Sequence, residues 1–124
     1  MIEEKIHELK SKITNYSGLI TSMVENSVRG LVDRREDVIL TVLNKDEPRA
    51  NEIEIEIDEL CLTLIVQLQP KAIDLRTIIM LLKMNNDLER IADHAVNICQ
   101  SAHTGLGSNL NIQYSRLTRI GFII

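Results

Sequence analysis

The sequence predicts an all-α fold, a bundle of three helices followed by the partial start of a fourth. Three observations lead there. Apolar residues recur at helical spacing over long stretches. Proline and glycine are sparse, 2 and 5 in 124 residues, while Ile, Leu, Glu and Lys abound. The length fits one domain, and with aromatic residues at only 2 % its core must be aliphatic.

The first helix carries Ile2, Ile6, Leu9, Ile13, Tyr16 and Ile20 in alternating steps of four and three, a heptad seam. Four-residue steps to Val24 and Val28 then shift the stripe, as a stutter does, and it continues through Leu31, Val38 and Val42. One long helix ending near Asn44 follows from this pattern. Gly18 and Gly30 each weaken it by about 1 kcal/mol, so a break at either is the alternative. NKDEP, residues 44–48, reads as a turn, with Asp46 as N-cap and Pro48 in the first turn of the next helix.

In NEIEIEIDEL, Ile53, Ile55 and Ile57 alternate with glutamates as in a strand. The wider pattern Ile53, Ile57, Leu60, Leu64, Leu68 has helical period, and a lone strand would have no partner. A second helix therefore spans Pro48 to Leu68 and stops at Gln69-Pro70, because a residue before proline resists the α conformation. The third helix runs from Pro70 to about Ala102. From Leu75 to Met84 its apolar residues point nearly all round, which predicts packing on several sides, Met80 and Met84 included. From Asn86 onward Leu88, Ile91, Ala95, Ile98 and Cys99 share one face, and Asn86, Glu89, Arg90, Asp93 and Asn97 the other. Residues 1–103 thus form one helical unit, and 104–124 a linker with the truncated start of a further helix.

The net charge is −4, and no basic run exceeds Arg34-Arg35, which argues against a nucleic-acid partner. No stretch approaches the ~18 apolar residues of a membrane span, and the amino end lacks an apolar signal core. Cys61 and Cys99 sit in apolar helical patterns and read as buried, reduced thiols of a cytosolic protein. Nucleophile motifs, phosphate loops and dinucleotide fingerprints are absent, so nothing indicates an enzyme. The sequence argues against a ferritin-like diiron site, because the one Glu-x-x-His, Glu4 to His7, lies at a terminus and the third helix offers no such spacing.

The chemistry sits in NNDLERIADHAVN, residues 85–97. Glu89 and Asp93 are one turn apart, so their carboxylates share a face and repel by a few tenths of a kcal/mol. Either Arg90 offsets this as an intrahelical partner of Asp93 or Asp87, or a hard cation does, with Asn97 adding a neutral oxygen. Glu54 and Asp58 repeat the spacing on the second helix. A solvated helix face with ordinary ion pairs explains the same residues.

The run QPKAIDLRTIIMLLKMNNDLERIADHAVNIC resembles the PhoU family: the Gln69-Pro70 turn, Asp74-Leu75-Arg76, and the block from Asp87 to Ile98 occur in the family's order, and EIDEL at 56–60 is similar to its second helix. The resemblance covers roughly residues 15–103, with Ala92 where the family has glycine. It implies a cytoplasmic accessory of phosphate uptake that restrains phosphate-starvation signalling and connects the ATPase subunit of the phosphate ABC transporter with a sensor histidine kinase. It implies half of a six-helix bundle built from two three-helix repeats, the second repeat being missing here, so that two chains would pair as a homodimer. It also implies metal ions, iron or zinc, on an acidic E(D)-x-x-x-D motif. That motif corresponds to Glu89 and Asp93, with Asp87, Asn97 and Asp58 in the matching regions and Arg76 and Arg90 as orienting or pairing residues.

Overall fold

The computed structural model describes residues 1–104. They form α1 (Ile2–Val32), α2 (Glu36–Thr41), a π-helical turn (Val42–Asp46), α3 (Glu47–Leu68) and α4 (Ala72–Thr104). Helical backbone runs unbroken from α2 through the π-turn into α3, so the described residues make three rods and contain no strand. The further helix expected within 104–124 lies outside the described residues, apart from Thr104 at the end of α4.

The first boundary differs from the sequence reading. α1 stops at Val32, twelve residues before the expected Asn44. The Arg35 N–H donates to the Gly30 carbonyl at 2.9 Å and the Arg34 N–H to Leu31 at 3.4 Å, which is a Schellman closure. The left-handed residue of that closure is Arg34, at φ 54°, where glycine or asparagine usually signals the stop. Gly30 serves packing instead: a Cβ there would lie 2.7 Å from Cγ1 of Ile39, which is buried. Gly30→Val is therefore expected to destabilise the fold by about 2 kcal/mol in urea denaturation. Gly18 has nothing within 4 Å of its ideal Cβ, so Gly18→Ala should stabilise by about 0.5–1 kcal/mol.

NKDEP is not a turn between helices. The Glu47 N–H bonds back five residues to the Val42 carbonyl, widening the helix immediately before Pro48. In a regular α-helix the proline ring would clash with the carbonyl four residues back, and the π-turn relieves this without ending the rod. Asp46 accordingly has helical backbone and makes no capping bond, contrary to its expected role.

The core is one cluster of mostly aliphatic side chains. On α1 the heptad seam continues without the expected stutter: Ile6, Leu9, Ile13, Tyr16, Ile20, Met23, Ser27 and Gly30 are buried, and Val24 and Val28 only partly. Ser27 is tolerated there because its hydroxyl donates to the Val24 carbonyl at 2.8 Å. On α4 the buried line is Ala92, Ala95, Val96, Cys99 and Ala102. These small residues bring α1 and α4 into the most extensive helix contact of the bundle. Burial pushes both thiols, Cys61 and Cys99, up to about 11, so they remain protonated. His103 Nδ1 lies 3.0 Å from Glu36 Oε1, tying the end of α4 to the start of α2.

The amino-terminal half of α4 departs from expectation. Ile78 and Leu81 are buried, but Ile79, Met80 and Met84 stay exposed, as does Ile91 further on. Among the described residues nothing packs over them. The all-round apolar pattern is real, but the three rods use only one side of it.

Candidate functional site

Tyr16 projects from α1 across the core and is almost wholly buried. Its phenol is pushed up to about 12, first by burial and then by the carboxylates of Glu54, Glu89 and Asp93. Negative charge on α3 and α4 therefore acts on an α1 side chain. The Glu54 carboxyl is itself raised above the usual carboxylate range, by burial and then by Asp58 and Glu89. The carboxylates of Glu54, Asp58, Glu89 and Asp93 thus line the α3–α4 seam as an acidic groove near Tyr16, without any three of them converging on one point. None of the four forms an ion pair among the described residues.

The groove arises from helical spacing. Glu54 and Asp58, like Glu89 and Asp93, are four residues apart and lie one above the other on facing helices. Asn85, one turn before Glu89, fixes the level at which the helices meet. It is fully buried, and its Nδ2 donates to the Glu54 main-chain carbonyl at 3.1 Å. Its Oδ1 has no partner, an uncommon condition for a buried polar atom.

Glu89 and Asp93 on α4 and Glu54 and Asp58 on α3 act on one another's surroundings, but among the described residues no three acids converge on one point. Asp87, two residues before Glu89, points about 160° away round the helix and is exposed. Asn97 is exposed one turn beyond Asp93. Glu89 is half-buried, closer to the core than the expected polar face. Arg76 and Arg90 are exposed, and Arg90 makes no ion pair with Asp87 or Asp93. Sequence reasoning missed Tyr16 and Asn85 as parts of the site. Both had a signal: the one aromatic on the α1 seam, and an asparagine at a core position between Leu81 and Leu88.

The PhoU domain profile matches residues 13–102, most of the chain. The chain belongs to the PhoU family. Among its PhoU relatives, the phosphate-specific transport system accessory protein PhoU homolog of Pseudomonas putida is 35 % identical over 98 residues, covering 79 % of this chain and 38 % of that protein. The accessory protein PhoU of Escherichia coli K12 is 28 % identical over 98 residues, 79 % of this chain and 40 % of that one. The Aquifex aeolicus PhoU homolog is 27 % identical over 99 residues, 80 % and 44 % respectively. The chain thus spans roughly two fifths of the length of these PhoU relatives. No solved structure matches it. No helix among the described residues is long and apolar enough to cross a membrane.

Proposed function

We propose that the chain is a non-enzymatic, cytoplasmic regulatory adaptor of phosphate uptake that restrains phosphate-starvation signalling. It acts as a homodimer between the ATPase subunit of a phosphate ABC transporter and a sensor histidine kinase. The observation that carries this is the PhoU domain match over residues 13–102, with relatives named as phosphate-specific transport accessory proteins. The immobilised chain should retain both the purified ATPase subunit and the kinase sensor portion. Failure to retain either one overturns the bridging role.

A cation in the acidic groove is the second part of the reading. It is supported by the carboxylates of Glu54, Glu89 and Asp93 acting on a buried phenol, with Asp58 acting on Glu54, none of them in an ion pair among the described residues. Their charge and donor type suit a hard or borderline ion, and two of Glu89, Asp93, Glu54 and Asp58 would hold it. No three His, Cys, Asp or Glu side chains of the described residues converge on one point, so water would complete the coordination. The ion would neutralise the repulsion between the facing acids and join α3 to α4. Asn97, one turn beyond Asp93, is an outlying ligand in this reading, and Asp87, on the opposite side of α4, would not reach the ion.

Elemental analysis should find about one iron or zinc per chain, lost in Glu89→Ala/Asp93→Ala, and added metal should raise the melting temperature of the native chain alone. No metal in either protein, with equal melting, would overturn the groove as a metal centre. Binding should weaken as pH falls, because the raised Glu54 carboxyl takes a proton early and the proton competes with the ion.

A further inference from the structure

Two exposed apolar stripes remain on the bundle. On α4, Ile73, Met80, Met84 and Ile91 lie within about 20° of one line along the helix, with exposures of 80 %, 53 %, 42 % and 44 %. That line is about 120° round from Asn85, which contacts α3, so it faces away from α3. Beside it runs an exposed basic row, Arg76, Lys83 and Arg90, at intervals of seven residues. On α3, Ile55, Leu62 and Val66 form a second line, with exposures of 53 %, 51 % and 71 %. Exposed Glu52, Glu56 and Glu59 flank it on the opposite hand from the basic row. Large side chains in register on two faces are more than the scattered apolar residues of an ordinary surface.

We infer that the α4 stripe of one chain docks, parallel, on the α3 stripe of a second copy. The spacings and charges agree. Met80 to Ile91 and Ile55 to Val66 are each eleven residues, about 16 Å of helix. With Met80 set against Ile55 of the second copy, Ile91 meets Val66, and Met84 and Leu62 fill the interval. The same register puts Arg76 level with Glu52 and Lys83 level with Glu59, within one residue. When parallel helices meet face to face, the left flank of one opposes the right flank of the other, so the basic and acidic rows come together. In an antiparallel arrangement the basic row would meet Asn51 and Asp58 instead. Methionines suit such a seam because their flexible thioethers adapt to the facing surface.

The contact is heterologous, since different patches meet, and it leaves one unused α3 stripe and one unused α4 stripe on each pair. This rests on the self-association proposed above and names its surface, and the unused stripes let further copies add to the pair where they meet in the same way. The test uses two charge-reversed chains, Arg76→Glu/Lys83→Glu and Glu52→Lys/Glu59→Lys, with sedimentation velocity on each, on their mixture and on the native chain. All four substituted positions are exposed, and circular dichroism is the check that the variants stay folded. The native chain should associate, each variant alone should weaken association about tenfold or more, and mixing the two should restore it, because the acidic α4 then meets a basic α3. A native chain that stays monomeric at all concentrations overturns self-association itself. Association that survives in both variants leaves self-association standing and overturns this surface. Loss in each variant without rescue on mixing overturns the pairing of the two rows.

Discussion

Asn85→Asp is expected to destabilise the fold by about 3–5 kcal/mol at neutral pH, the usual consequence of an unpaired buried charge. The wild-type amide has no exposure and lies one turn before Glu89 and against the Glu54 backbone. A carboxylate there loses hydration and faces like charge. Its proton is held more tightly in the folded state than in the unfolded one, where its pKa is about 3.9. The folded state then binds more protons, so stability falls as pH rises above that value and recovers as pH drops towards 4. Glu54 has the same sign on a smaller scale, because its carboxyl is also raised on folding. Asn85→Leu should cost about 1 kcal/mol or less, since it removes one hydrogen bond together with the unpartnered Oδ1. Urea denaturation across pH 4–8 separates these outcomes. Equal, pH-independent losses in both variants would refute the burial of this side chain beside the acids.

Ile57→Ala should cost about 3–4 kcal/mol, and Ile55→Ala less than about 0.5 kcal/mol. The two residues differ by one step in an alternating IEIEI run, yet Ile57 is fully buried and Ile55 is 53 % exposed. On a strand they would share a face. On a helix they lie about 160° apart. α3 fully buries Ile57 and Leu64 with the smaller Ala50 and Cys61, while Ile53, Leu60, Ile65 and Leu68 pack only partly buried, so losing Ile57 loosens the helix that carries Glu54 and Asp58. Chemical denaturation at low protein concentration measures both. Comparable losses at the two positions would refute the helical assignment of this segment.

The helices and the α1 seam were legible because hydrophobic period averages over many residues. The reversal at Asp33–Arg35 was not, because the left-handed position is held by Arg34 and the nearby glycine serves packing. Pro48 looked like a boundary because only a π-turn lets it pass, and no residue type announces one. In the site, the Glu89–Asp93 spacing was readable along one helix. Its placement beside α3, which carries Glu54 and Asp58, depends on the register between α3 and α4, which Asn85 sets and which local pattern does not encode. The exposure of Met80 and Met84 was hidden for a similar reason. An apolar face predicts that something covers it, without saying whether the cover belongs to the same chain.

The position of Tyr16 has an optical consequence. The chain contains no tryptophan and two tyrosines, so its ultraviolet emission comes from phenol rings alone. Tyr16 is buried and feels the carboxylates of Glu54, Glu89 and Asp93. Charge placed in or removed from that groove acts directly on a chromophore the molecule already carries. Occupancy of the groove is therefore open to observation by fluorescence without a dye or an added label.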